Sequence, residues 1–330
     1  MIAAVLIGST DTSARLRRAA TSRRPLTLQG CDQYERQHPD EHVALLLILA
    51  LLFATPATAQ APAPGWQLVV LGIAQDGGMP HPGCTKSPCA DVYAGRRPAE
   101  KVSCLGLINR DLGLAYMIDT TPDFPAQLRA LTGGAPPDGI FLTHAHIGHY
   151  TGLMYLGKEA MATKGVPVYG TERMNAFLKD NGPWNLLVEN GYVALRALEP
   201  DVAIELPGGL RITPMLVPHR DEFTDTVGFL IEGPRAKALF IPDIDKWEKW
   251  NRSLRELANE VDYLLVDGTF ASMDELPGRD ISQVPHPLMS ETRAFLEDTR
   301  AKLWFIHLNH SNPALVDGKD VGREGMAFGL

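Results

Sequence analysis

Residues 60–330 predict an α/β fold built as a four-layer αβ/βα sandwich, with two β-sheets packed face to face and helices outside. Three observations lead there. Short apolar runs of strand length alternate with helix-length segments in two halves of similar style. Several of those runs close on a His or an Asp. No short repeat, low-complexity tract or internal linker interrupts the alternation, so residues 60–330 read as one domain.

The elements follow in order. Ala61–Gly65 is a Pro-rich tether, and Gln67–Ile73 is the first strand. A turn-rich loop runs from Asp76-Gly77-Gly78 through Cys89 to Arg97. Cys104–Asn109 and Leu114–Asp119 form a hairpin turning at Arg110–Gly113. Phe124–Leu131 is a short helix with Asp123 placed to cap it. Gly139–Thr143 is a buried strand that runs into a histidine cluster. Leu153–Met161 and Thr171–Asn181 read as helices, with Val166–Tyr169 a strand between them. In the second half, strands are expected at Ala203–Leu206, Leu210–Val217, Val227–Ile231, Ala238–Ile241 and Tyr263–Val266. Helices are expected at Trp247–Asn259, with Asp245 as cap, and at Ser290–Thr299. Trp247 and Trp250 are spaced like one helix face, which points to core packing. Leu303–Ile306 is the last strand.

The first 59 residues stand apart. Val43–Ala54 is almost wholly apolar and is followed by Thr55-Pro56-Ala57-Thr58-Ala59, a small-residue Ala-x-Ala site. That pattern is a secretory signal peptide cleaved after Ala59, which places the mature protein in the periplasm or outside the cell. The apolar run falls short of the ~20 residues that span a bilayer, so no stable membrane span is expected. Asp40 and Glu41 sit where such a signal wants positive charge, which suggests a true start codon downstream of Met1.

Removing residues 1–59 takes six Arg and five acidic residues and leaves 25 basic and 34 acidic side chains. An acidic surface repels phosphate backbones, so nucleic acid is excluded as partner and a small-molecule substrate is expected. A homodimer stays open. Cys84, Cys89 and Cys104 survive cleavage and Cys31 does not. In an oxidising compartment Cys84 and Cys89 could close a disulfide, or they could ligate a structural metal with His81 or Cys104.

The chemistry is concentrated in Thr143-His144-Ala145-His146-Ile147-Gly148-His149. Histidines that leave a strand in a turn can face a common point, and neutral imidazole is a favoured ligand of zinc and similar ions. The same device recurs elsewhere. His219 follows Leu216-Val217-Pro218, Asp243 follows Phe240-Ile241-Pro242, and His307 follows Trp304-Phe305-Ile306. Ligand-type side chains at the ends of several strands are how a rigid fold builds a metal site.

With these residues the chain resembles the metallo-β-lactamase superfamily, whose hallmark is H-x-H-x-D-H after a strand, then a distant His, an Asp and a final His. The resemblance implies that His144, His146 and His219 hold one divalent ion. It gives His149 and His307 the second ion, with Asp243 bridging. Zinc is the first expectation, with iron or manganese as alternatives. Asp119 would orient a ligand from behind. Gly148 departs from the pattern, since glycine replaces the usual Asp and cannot ligate, so the second ion has a poorer shell. Gly148 and His310 are candidates to line the substrate pocket.

Several segments are similar to the pyrroloquinoline-quinone biosynthesis protein B family: Asp119-Thr120-Thr121-Pro122-Asp123, His149–Leu153, Leu264–Phe270, Pro285-His286-Pro287 and His307–Pro313. Asp267-Gly268-Thr269-Phe270 and His286 also resemble the acid-x-Thr-Phe and later His of transfer-RNA 3′-processing nucleases and phosphonate-pathway phosphodiesterases. That likeness implies an Asp267–His286 dyad with His286 as general acid.

The expected function is an exported hydrolase in which a metal-bound water attacks an ester, phosphodiester or amide. Three other readings stay open: an oxidative enzyme in the style of the quinone-biosynthesis family, a β-lactam hydrolase, and a non-catalytic metal binder.

Overall fold

The computed structural model describes residues 65–280 and 283–330, so the expected signal peptide lies outside the described residues. Among the described residues, thirteen strands form two sheets. They are β1 Trp66–Gly72, β2 Cys104–Asn109, β3 Leu114–Ile118, β4 Gly139–Phe141, β5 Val166–Thr171, β6 Val193–Leu198, β7 Ile204–Leu206, β8 Leu210–Leu216, β9 Val227–Glu232, β10 Lys237–Ile241, β11 Tyr263–Asp267, β12 Lys302–Ile306 and β13 Ala327–Gly329. The first sheet has the order β13-β1-β2-β3-β4-β5-β6 and the second β12-β11-β10-β9-β8-β7.

Period-two side-chain alternation sorts the strands between two apolar layers. In β2, Leu105 and Leu107 join the core shared with the second sheet, whereas Cys104 and Ile108 face the helices behind the first. Phe141 reaches across to Phe229 with ring centroids 5.9 Å apart and stacks on Tyr169 at 4.4 Å. Each such buried side chain contributes roughly 1.5–3 kcal/mol of transfer free energy.

Strand direction positions the site. Pairing of β1 with β2 and of β2 with β3 is antiparallel, and β3, β4 and β5 pair in parallel, so β1, β3 and β4 all point one way. In the second sheet β10, β11 and β12 are parallel, and β8 shares their direction through β9. Loops leaving the carboxyl ends of like-directed strands gather at one edge, the usual place for a site in α/β sheets.

Several expected elements differ. Trp247–Asn259 is not one helix: Trp247–Lys249 is a 3-10 turn, Trp250 is extended, and the α-helix spans Leu254–Glu260 with Ser253 as its cap in place of Asp245. The buried indoles explain the break. Trp247 Nε1 donates to Thr292 Oγ1 at 2.8 Å and Trp250 Nε1 to the Leu216 carbonyl at 2.7 Å, partners on different elements. Asp123 does not cap Phe124–Thr132 with its side chain, because its carboxylate accepts from the Val102 amide at 2.9 Å. The segment after the histidine cluster is a 3-10 helix, Thr151–Leu156, instead of a longer α-helix. Gly152 packs there against the backbone, where a Cβ would lie 2.4 Å from the Thr121 carbonyl oxygen. The helix at Trp184–Glu189 and strands β6 and β13 were not expected.

Candidate metal centre

The like-directed strands deliver their polar residues to one point. Asp119 follows β3, His144, His146 and His149 follow β4, His219 follows β8, Asp243 follows β10, Asp267 ends β11 and His307 follows β12. The Asp243 carboxylate lies at the centre. Its Oδ2 is 3.2 Å from His219 Nε2, 3.4 Å from His144 Nε2, 3.8 Å from His307 Nε2 and 4.0 Å from His149 Nε2. His144, His146, His219 and Asp243 make one group able to hold an ion, and His149 and His307 belong to an adjoining one.

Each ring is held from outside so that its other nitrogen faces inward. Nδ1 of His149 pairs with Asp119 Oδ2 at 2.8 Å, and Nδ1 of His144 with Thr143 Oγ1 at 3.0 Å. His307 Nδ1 meets Thr269 Oγ1 at 3.1 Å, and His146 Nε2 meets Glu222 Oε2 at 3.0 Å. His219 Nδ1 faces Asp245 Oδ1 at 3.4 Å. The four hydrogen-bonded partners assign the outer nitrogen as an N–H and turn the inner nitrogen toward the position a cation would take. Asp119 is fully buried and also accepts from the Thr143 amide and hydroxyl, so one carboxylate braces the root of the cluster.

Two features test whether an ion fits. His144 Nε2 and His146 Nδ1 lie 2.9 Å apart and His146 Nδ1 and His219 Nε2 3.3 Å apart. Four-coordinate zinc with Zn–N bonds of ~2.05 Å has ligand–ligand edges of about 3.3 Å. Further, the buried atoms His149 Nε2, His307 Nε2 and Asp243 Oδ1 have no hydrogen-bond partner. Buried polar atoms are rarely left so. The residues fit divalent metal.

Electrostatics point the same way. Burial opposes charge on His149, but the charge and hydrogen bond of Asp119, aided by Asp76, hold its pKa up at about 10. Burial also opposes ionisation of Asp243, and the surrounding His307, His144 and His219 keep its carboxyl well below the usual range. The pocket thus favours a positive charge among buried carboxylates. Burial, together with the charge of His149, presses His144 the other way, toward the neutral ring that a metal needs.

Beside this set, His286 Nδ1 is 2.8 Å from Asp267 Oδ2 and 3.4 Å from Asp243 Oδ1. Asp267 is itself pinned by the amides of Thr269 and Ile244. Burial works against a charged His286, yet the Asp267 carboxylate outweighs it and holds the ring up at about 9.

Four candidate residues, His310, Cys84, Cys89 and Gly148, contribute no ligand atom to this set. His310 does not join the histidine cluster: it stacks on His81 at 4.2 Å and shares a group with Cys84 and Cys89 whose ligand atoms lie within 4.8 Å of one another. It lines a cavity of about 350 Å³ with His81, Cys84 and Lys86. Cys84, Cys89 and Cys104 are free thiols, so Cys84 and Cys89 form no disulfide. Gly148 is buried against Asp76 of the loop that follows β1. Sequence reasoning missed Glu222, Thr269 and Asp76. The last carried a usable signal, because Asp76 follows the first strand just as Asp243 and His307 follow theirs.

Comparison with known proteins agrees with this architecture. A family model described as "Beta-lactamase superfamily domain" matches residues 115–308. Coenzyme PQQ synthesis protein B of Methylobacterium nodulans is 26% identical over 306 residues, covering 80% of this chain and 100% of the relative. That of Azotobacter vinelandii is 25% identical, covering 79% and 99%. Among solved structures, zinc-bound PqqB from Methylobacterium extorquens superposes with a TM-score of 0.68 at 22% identity, covering 80% of this chain and all of that one. A diphosphatase of the PhnP family gives a TM-score of 0.58 at 23% identity, covering 80% and 96%. The chain belongs to the beta-lactamase superfamily, and within it resembles coenzyme PQQ synthesis protein B.

Proposed function

We propose that this protein is a metal-dependent hydrolase of small ester, phosphodiester or amide substrates. His144, His146, His219 and Asp243 hold one divalent ion, zinc first, and His149, His307 and the shared Asp243 hold a second. The observation that carries the reading is the pairing of a five-histidine set around Asp243 Oδ2 with an Asp267–His286 dyad 3.4 Å away. When bound, such ions supply Lewis acidity and bring the pKa of water toward ~7.

The chain's own residues do the rest. Asp119, Thr143, Glu222 and Thr269 fix the ring orientations, so the inward nitrogens are in place before an ion arrives, and an ion would displace the proton held on His149. Asp267 holds the proton on His286 Nδ1 and stabilises the imidazolium. Nε2 then carries the proton that passes to the leaving-group oxygen or nitrogen. The burial of Asp267 and the amides that pin it keep that carboxylate an acceptor in one place.

The test is turnover of bis(p-nitrophenyl) phosphate by zinc-loaded protein beside its His286→Ala variant. Loss of turnover with metal content unchanged supports the reading; equal turnover sinks the dyad. A second reading follows the likeness to coenzyme PQQ synthesis protein B over that relative's whole length: an oxidative enzyme using iron. Iron in protein purified without added metal, with oxygen-dependent turnover, would select it. We place either activity outside the cytoplasm, on the apolar run and Ala-x-Ala site at residues 43–59, and expect the mature chain to begin at Gln60 by N-terminal sequencing. Cys84, Cys89 and His310 are proposed as a separate structural metal group, checked by loss of one ion in Cys89→Ser.

A further inference from the structure

The second histidine pair lacks the carboxylate that H-x-H-x-D-H would supply from position 148, and a different part of the chain fills that space. A Cβ built on Gly148 would lie 2.2 Å from Asp76 Oδ1 and 2.7 Å from Asp76 Cα. The carboxylate of Asp76 therefore sits where the side chain of residue 148 would begin. Only glycine leaves room for it.

From that seat Asp76 Oδ1 is 3.4 Å from His149 Nε2 and 4.0 Å from His307 Nε2. The three residues form a group whose ligand atoms lie within 4.8 Å of one another. All three atoms are buried and none has a hydrogen-bond partner. One carboxylate oxygen and two imidazole nitrogens left unpaired around a single point are what a cation would satisfy.

The loop is built to hold this pose. Leu308 N donates to the Ile73 carbonyl and Gln75 N to the Leu308 carbonyl, both at 2.8 Å, so the approach to Asp76 is stitched to the residue after His307. Gly78 N closes a turn onto the Gln75 carbonyl at 2.7 Å, and Gly78 takes φ +69°, a conformation that favours glycine. Asp76 also leaves a strand at the same edge as the other polar residues. β1 runs with β3 and β4, so its carboxyl end opens there.

The geometry points to Asp76 as the missing ligand of the second ion: a carboxylate relocated from position 148 to the loop after β1, with Gly148 as the vacancy that admits it. This inference rests on the two-ion reading above. It reverses what Gly148 means, because the second ion then has Asp76, His149, His307 and the shared Asp243, a complete four-ligand set.

The experiment is zinc loading followed by anomalous diffraction to locate each ion, with chelator competition to rank affinities. In the wild-type protein an ion is expected between His149 and His307 with Asp76 Oδ1 at ~2.0–2.2 Å. Asp76→Ala should keep the ion at His144, His146 and His219 and bind the second at least ~100-fold more weakly, beyond the ~10–100-fold that losing an outer partner costs. Gly148→Asp alone should clash with Asp76, whereas Asp76→Gly with Gly148→Asp should regain the second ion. Unchanged second-ion affinity in Asp76→Ala, or a wild-type ion beyond ~3 Å from Asp76 Oδ1, overturns the assignment and leaves the two-ion reading intact. A wild-type protein that takes no second ion overturns both. Should Asp76→Ala fail to fold, the wild-type map decides alone.

Discussion

His144, His146 and His219 form one set at Asp243, and His149 and His307 a second; His144, His219, His149 and His307 all approach the same carboxylate oxygen, but the support of the two sides differs. The first set is three imidazoles within 2.9–3.3 Å of a neighbour, held by Thr143, Asp245 and the half-exposed Glu222. The second is two imidazoles braced by the fully buried Asp119 and Thr269. A nitrogen-rich set can bind with little help from the rest of the fold. A sparse one depends on buried carboxylates and on a loop from a distant strand. The first side is thus expected to fill first, and the second to be the one that outer residues tune.

Breaking the first side should cost most. His219→Ala is expected to lose the first ion and drop hydrolysis to background, read by metal analysis and turnover together; retained first-site metal would remove His219 from the set. His286→Ala spares both sides. It should lower kcat roughly 10²–10⁴-fold with metal content unchanged, and a loss of metal would make His286 a ligand instead.

Asp119→Asn sharpens the difference between the sides. It should weaken the second ion ~10–100-fold and the first far less, measured by chelator competition. Equal weakening of both would show that the brace acts through Thr143 and not His149. Asp267→Asn addresses pH. As general acid, His286 works protonated, so activity falls as pH rises through its pKa. Asp267 raises that pKa, so its removal should bring the alkaline limb of the kcat profile to lower pH. Above the new pKa, kcat should fall about tenfold for each further pH step of about one. An unmoved limb means that another group sets it. Glu222→Gln should matter least. Its partly exposed carboxylate is screened by water, and less than ~10-fold in first-site affinity is expected.

The elements read most easily from sequence are those whose apolar pattern is decided locally. β2, β3, β8 and β10 alternate or run apolar and end in turn residues, and they lie within a residue or two of the expected bounds. β6 lies at a sheet edge with its middle half-buried or exposed, so it has little alternation to read. β13 has three residues and exists because β1 offers it a partner. Trp247–Glu260 has helical spacing throughout, but two buried indole N–H groups needed acceptors on separate elements and broke it.

The sequence by itself determined which residues are able to hold a metal. Three histidines in six residues after an apolar strand, and His219, Asp243 and His307 each closing another, are local patterns that need no neighbour to be seen. Only the tertiary structure decided which of these groups share a point. Side chains far apart in sequence meet through strand direction and sheet order, and neither is written in any one segment. That is why His310, three residues from His307, went to Cys84 and Cys89, while Asp76, from the opposite end of the domain, came to rest against Gly148.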